Sequence, residues 1–331
     1  MKLNIFFKLS LLIATLTTAG CYPVINPTKD SASTLLPTLP PTIERISRPE
    51  KIAFISDRNG KFAVYTMNVD GSNIKNLTEN LAFSSMPAWS PDGQYIAFSA
   101  FQAGPNQIYV MDNDGANQRQ LTDDPTGALS PVWSPNGKNI LFLSNRDNVR
   151  SSGRGDPLPE IYIMNSDGSR QQRLTNNQDL NEGSLSWSPK GDMIAASIGN
   201  PAISRYAIDI YLLDLSGVIQ KQLTESGINT NPSWSPDGRF IVFSSLEKNK
   251  CSGINIINVQ TTEQVCLVID KMPPQVQNLT PSWSPDGEYI IFSSNLDGDF
   301  DIYKVKIDGS NLTRLTNELG DETSPVWAVM P

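Results

Sequence analysis

The sequence predicts an all-β protein: a six-bladed β-propeller of four-stranded antiparallel blades. Three observations carry this expectation. The pentapeptide Trp89-Ser90-Pro91-Asp92-Gly93 recurs with small changes at Trp133, Trp187, Trp234 and Trp283, and a sixth tryptophan, Trp327, opens a truncated copy. These six are all the tryptophans in the chain, spaced 44 to 54 residues apart. A repeat of that length points to a radial architecture. A second signature occurs five times, once ahead of the first Trp and once after each of Trp89, Trp133, Trp187 and Trp283: a β-rich run with Tyr, then a Gly-terminated turn, as in Ile108-Tyr109 to Asp114-Gly115 and Ile302-Tyr303 to Asp308-Gly309. The third is a Leu-Thr pair closing the unit, at Leu77-Thr78, Leu121-Thr122, Leu174-Thr175, Leu223-Thr224 and Leu315-Thr316.

Residues 1–20 read as a leader, with Lys2 and Lys8 framing a basic start ahead of a short apolar stretch, Leu9 to Leu16, that is too brief to span a bilayer. Ala19-Gly20-Cys21 resembles a bacterial lipobox, which implies a lipoprotein signal peptide and lipidation of Cys21. Residues 21–50 carry Pro23, Pro27, Pro37, Pro40, Pro41 and Pro49 among many Ser and Thr. That composition builds no core and reads as a disordered tether, reaching roughly 90 Å at ~3.1 Å per residue.

Residues 51–331 are the propeller. In each pentapeptide Ser opens a turn, Pro takes its second position and Gly its fourth. A β-branched and aromatic strand follows, as in Tyr289-Ile290-Ile291-Phe292. Tryptophan buries a large apolar area and suits an anchor between sheets. Pro stands two residues before Trp in five copies (Pro87, Pro131, Pro232, Pro281, Pro325), which predicts a strand beginning at that Pro. The first repeat, from Lys51 to Thr78, has no Trp before it, and nothing after Trp327 supplies the other strands of a blade. Phe54 to Tyr65 repeats the spacing of Phe292 to Tyr303. The C-terminal strand at Trp327 is therefore expected to pair with the Lys51–Thr78 strands and close the ring.

Three repeats are lengthened. The Trp133 and Trp187 repeats are extended between their second and third strands, at residues 145–160 and 200–208. The Trp234 repeat lacks Asp-Gly and gains residues 271–278 ahead of the next blade. Both kinds of loop emerge on one face, and variable loops on a fixed scaffold commonly carry function. The 145–160 loop offers Arg146, Arg150 and Arg154 as candidate contacts.

The net charge of −8 and pI near 4.7 argue against a nucleic-acid surface. There is no histidine, which removes the commonest general base, the Ser-His-Asp triad and most zinc sites. Asp297, Asp299 and Asp301 have calcium-loop spacing, but Ile302 stands where such a loop needs Gly, so no metal and no cofactor are expected. Cys251 and Cys266 flank one hairpin, about two residues out of direct opposition. A disulfide and two buried thiols both remain open, with export favouring the disulfide.

The combined Trp-Ser-Pro-Asp-Gly and Ile-Tyr-x-Met-x-x-Asp-Gly pattern resembles the TolB-type propeller repeat, also called the WD40-like PD40 repeat. The resemblance covers about residues 51 to 331 and not the α/β domain that TolB carries ahead of its propeller. It implies a binding module that receives an envelope protein or peptide at its channel mouth; together with the leader and the lipobox at Cys21, the expectation is a monomeric, exported, lipid-anchored propeller of the bacterial cell envelope, in the periplasm or outside the cell. The residues three before each Trp are the candidate rim: Met86, Ser130, Ser184, Asn231, Thr280 and Ser324. Five are small and polar, suiting either a hydrated channel or plain strand-edge packing. No catalytic residue is assigned. The alternative is a carbohydrate-active or hydrolytic enzyme working through carboxylates that converge on the channel.

Overall fold

The computed structural model describes residues 48–147, 158–177, 180–200, 207–225, 227–246, 252–267 and 276–331. The leader, Cys21 and most of the tether lie outside the described residues, as do Arg150, Arg154 and Cys251.

Blade I contains β1 (Glu50–Ser56), β2 (Ala63–Asn68) and β3 (Lys75–Asn76), completed on its inner edge by the last strand, β24 (Glu322–Val329). Blade II is β4 (Phe83–Trp89), β5 (Tyr95–Phe101), β6 (Gln107–Asp112) and β7 (Arg119–Gln120). Blade III is β8 (Ala128–Trp133), β9 (Asn139–Ser144), β10 (Glu160–Asn165) and β11 (Gln172–Arg173). Blade IV is β12 (Asn181–Trp187), β13 (Met193–Gly199), β14 (Ile208–Asp214) and β15 (Ile219–Gln222). Blade V is β16 (Asn229–Trp234), β17 (Phe240–Ser245), β18 (Gly253–Asn258) and β19 (Gln264–Cys266). Blade VI is β20 (Asn278–Trp283), β21 (Tyr289–Ser294), β22 (Asp301–Lys306) and β23 (Thr313–Arg314).

The six-bladed, all-β expectation holds, and so does the closure. Ile52 faces Trp327 and Lys51 faces Ala328 across the β1–β24 ladder. The Trp327 indole N–H donates to Glu50 Oε2 at 2.9 Å, and Met330 N–H donates to the Pro49 carbonyl at 2.7 Å.

The core is divided into six wedges, one at each blade interface. Ala53, Ile55 and Val64 of blade I pack with Trp89, Ile96 and Phe98 of blade II. The last wedge joins Ile291, Ile302 and Leu315 of blade VI to Ile52, Phe54 and Tyr65 of blade I, with Trp327 against them. Second strands such as Ile52-Ala53-Phe54-Ile55 are buried on both faces, so they read as continuous apolar runs without alternation.

The pentapeptide is a self-contained hydrogen-bonded turn. In Ser90-Pro91-Asp92-Gly93, Gly93 N–H donates to the Ser90 carbonyl at 2.9 Å. Ser90 Oγ donates to Asp92 Oδ1 at 2.6 Å and accepts Tyr95 N–H at 2.9 Å. Blade IV has Lys190 in place of the Asp, and Asp192 takes over, accepting Ser188 Oγ at 2.7 Å.

The glycine of each second turn has a further reason. Gly71, Gly168 and Gly217 have positive φ, and each lies against the Leu of the preceding blade's Leu-Thr pair. A Cβ on Gly217 would sit 2.2 Å from the Leu174 carbonyl oxygen, and one on Gly71 would sit 2.4 Å from that of Leu315. The turn glycine thus keeps open a backbone-to-backbone contact between blades.

Candidate functional site

The innermost strands β4, β8, β12, β16, β20 and β24 contact one another in a closed circuit around the axis. Each is irregular in the same place. The ladder to the second strand slips between Ser85 and Ala88, Leu129 and Val132, Glu182 and Leu185, Thr230 and Ser233, and Leu279 and Ser282. In blade I the slip leaves Ser324 and Pro325 unpaired. Two residues per blade are therefore freed from the ladder: the rim candidate and the Pro after it in five blades, and Gly183 with Ser184 in blade IV. The expected strand start at Pro is thereby corrected. Pro87, Pro131, Pro232, Pro281 and Pro325 lie well inside their strands. Proline has no N–H to give the ladder, so the bulge is where a strand interior tolerates it.

The bulge has an unusual backbone. Met86, Ser130, Asn231, Thr280 and Ser324 have φ of 52°, 56°, 56°, 50° and 53°. Ser184, followed by Leu185 where the other copies have Pro, has no positive φ. Non-glycine residues in the left-handed region cost about 1 kcal/mol or more each and persist where the surroundings enforce them. All six candidates are half-buried.

They meet in pairs across blade boundaries. Ser130 Oγ donates to Met86 Sδ at 3.0 Å, and Asn231 Nδ2 donates to Ser184 Oγ at 3.0 Å. Ser324 N–H donates to Thr280 Oγ1 at 3.2 Å. Hydroxyls of the second strands hold the bulge from behind: Ser99 Oγ accepts Ser130 N–H at 3.1 Å, and Ser244 Oγ accepts Thr280 N–H at 3.1 Å. The result is a belt of hydroxyl, amide and thioether groups around the channel.

The face bearing the long loops carries a second device that sequence reading passes over. The Thr of each Leu-Thr pair accepts a backbone N–H from the start of the third strand, at 2.9 Å in all five blades that have it: Val64, Ile108, Ile161, Ile210 and Ile302 donate to Thr78, Thr122, Thr175, Thr224 and Thr316. Four of these hydroxyls pass on to a buried acceptor: Gln107, Glu182, Asp209 or Asp301. Blade V has Val268 where the others have Thr, and its Cys266, next to Leu267, is disulfide-bonded. The partner cysteine lies outside the described residues.

The charged residues of this face serve the clamps. Arg146 Nε lies 2.7 Å from Asp124 Oδ2, Nη1 donates to Gln171 Oε1 at 2.8 Å, and the guanidinium lies over Tyr162 and Phe142. Arg58 repeats the arrangement in blade I, over Tyr65 and Phe54 and 3.2 Å from Glu322. Asp297 and Asp301, two members of the calcium-like triplet, both pair with Arg314. Asp297 also accepts the Tyr303 hydroxyl at 2.7 Å.

Glu182 and Glu160 approach each other between blades III and IV. Glu182 accepts Ile161 N–H, Thr175 Oγ1 and Asn177 Nδ2, and Glu160 accepts Arg173 Nη2 and Asn177 N–H. Burial pushes the Glu182 carboxyl up to about 7, against the pull of these hydrogen bonds, and the Glu160 charge adds to the rise. The native state then holds a proton that the unfolded chain releases near pH 4.5, so this group's contribution falls as pH rises from about 4.5 to about 7. Burial raises Asp301, Asp321 and Glu322 as well, in the same sense, whereas Asp124 is lowered by Ser144, Thr126 and Arg146 despite its burial and acts in more acid solution. Between pH 5 and pH 8 the expected loss from Glu182 is about 3 kcal/mol of unfolding free energy. Urea denaturation at the two pH values checks it: Glu182→Gln should flatten the difference, and an unchanged slope would contradict the assignment.

Six four-stranded sheets arranged around a polar belt define a six-bladed β-propeller. Residues 47–271 match the family described as TolB beta propeller domain (PD40). The chain belongs to this TolB-type propeller family. A protein TolB homolog of Chlorobium chlorochromatii is 31% identical over 196 residues, covering 59% of this chain and 31% of that protein. A Tol-Pal system protein TolB of Desulfosudis oleivorans is 33% identical over 92 residues, covering 28% of this chain and 20% of that protein. The matches thus span at most about a third of these relatives. Among solved structures, TolB from Acinetobacter baumannii superposes with a TM-score of 0.69 at 23% identity, covering 84% of this chain and 66% of that one. A putative TolB from Agrobacterium tumefaciens gives 0.61 at 21% identity, covering 86% and 99%.

Proposed function

We propose that this propeller is a protein- or peptide-binding module of the bacterial cell envelope, exported and held to a membrane by a lipid on Cys21, with its channel belt as the contact surface. The supporting observation is the backbone of the belt. Five non-glycine residues hold a costly conformation at equivalent places on the inner strands, and strain of this kind clusters at binding sites. The belt offers neutral donors and acceptors with no strong charge, which suits the backbone of an inserted segment. The tether in residues 21–50 gives the domain reach from a membrane. Relatives named as Tol-Pal system proteins favour an envelope setting, in the periplasm of a diderm cell.

A crosslinking pull-down from intact cells tests the reading. Asn231→Ala with Thr280→Ala should lower partner capture about tenfold, with the melting temperature within a few degrees of the parent. Unchanged capture by a folded double variant would remove the belt from the account. Extraction of the full chain into detergent, lost on Cys21→Ser, tests the anchor separately.

A further inference from the structure

On the opposite face, where the pentapeptide turns lie, the Trp of one blade is paired in the repeat with the residue six positions after the Trp of the preceding blade. That second residue is Tyr95 at the blade II–III interface, Asn139 at III–IV, Met193 at IV–V, Phe240 at V–VI and Tyr289 at VI–I. Only the II–III and VI–I interfaces therefore pair a tyrosine with a tryptophan.

These two are finished differently. At VI–I, the Lys304 ammonium lies 5.5 Å from the centre of the Tyr289 ring and 5.9 Å from that of Trp327, and donates to the Val69 carbonyl at 3.0 Å. The protein's own cation covers that aromatic floor. The position equivalent to Lys304 in blade II is Val110, too short to reach so far. A cavity of about 230 Å³ remains, bordered by Tyr95, Trp133, Val110, Arg119, Asp92 and Asp167. Tyr95 is stacked on Trp133 with centroids 6.5 Å apart and planes 22° apart, yet is 41% exposed. Arg119 Nη1 donates to the Asp167 carbonyl at 3.3 Å, leaving its other N–H groups available. Asp92 uses Oδ1 for Ser90 and Gln94 N–H.

We infer that the groove between blades II and III is a binding site for a neutral saccharide. The chemistry selects the class. An aromatic platform offers a flat apolar face, which the C–H face of a pyranose complements. Around it stand donors on Arg119 and acceptors on Asp92, matching hydroxyls that both give and take hydrogen bonds. An anion would meet Asp92, the turn of Asp167 and a protein of net charge −8. A cation would meet Arg119. The volume suits one or two sugar rings. This site lies on the face away from the long loops and stands apart from the channel proposal, so either can fail alone.

Saturation-transfer NMR and calorimetry on the propeller-bearing chain test the inference, with N-acetylglucosamine and maltotriose as neutral probes and glucuronate and glucosamine as charged ones. At least one neutral sugar should saturate in the millimolar range. Tyr95→Ala, at an exposed side chain, should weaken it about tenfold. Val110→Lys, which copies the blade VI arrangement, should abolish it, while Tyr289→Ala leaves it unchanged. Absence of saturation by both neutral sugars, tighter binding of a charged probe, or binding that survives Tyr95→Ala in a folded variant would each overturn the inference.

Discussion

Removing residues 320–331 is expected to abolish cooperative folding of the whole domain, not to trim a terminus. The cut takes away β24, the inner strand of blade I, and with it one wall of two core wedges. Val326, Trp327 and Met330 alone bury apolar surface worth roughly 5 to 8 kcal/mol. That is comparable to the net stability of a typical domain, about 5 to 15 kcal/mol. Electrostatics adds to the loss. Glu322 is fully buried, accepts Ser56 Oγ at 2.6 Å and lies beside Arg58, so its removal leaves a largely buried guanidinium without its counter-charge. Circular dichroism during heating should show no sharp transition for the truncated chain. A sharp transition within a few degrees of the parent would show that the ring does not depend on its last strand.

Gly217→Ala is expected to be the most damaging single methyl in the molecule. Two costs combine. At φ of +81° an L-residue is disfavoured by about 1 kcal/mol or more. The new Cβ would then sit 2.2 Å from the Leu174 carbonyl oxygen and 2.8 Å from its carbon, both backbone atoms of the neighbouring blade. Backbone cannot turn aside as a side chain does, so blades III and IV must separate locally. The sum should reach on the order of 3 to 4 kcal/mol. Gly60→Ala isolates the first cost, because Gly60 has φ of +78° and no atom lies within 4 Å of the place its methyl would take. It should lose only about 1 kcal/mol. Urea unfolding of both variants checks the contrast, and equal losses would mean that the interface contact does not govern the turn.

The fold is legible in the sequence because its signals are local and multiplied. Each pentapeptide turn closes on itself through its Ser, its Gly and a nearby Asp or Asn, so its meaning survives without knowledge of the rest of the chain. Ring closure is legible from complementarity, since the first repeat lacks the tryptophan that the last one supplies. What escapes the sequence depends on contacts between repeats. Thr78 and its equivalents look like ordinary strand residues until the third strand's N–H is placed against them. The left-handed residue before Pro cannot be read as such, because the bulge that requires it is a mismatch between two strands. Arg146 looks like a free loop cation, and only the fold sets it beside Asp124 and over two aromatic rings. Lys304 and Val110 differ by one substitution in a repeat, yet the consequence emerges only where neighbouring blades meet.

Hydrogen exchange of the backbone amides in Glu322–Val329 tests the central claim most directly, read by mass spectrometry on the intact domain beside Glu50–Ser56. If the tail is the inner strand of blade I, both segments exchange together and only through global unfolding, as slowly as the inner strands of other blades. Exchange of Glu322–Val329 within seconds, while Glu50–Ser56 stays protected, would contradict a ring joined through its two ends.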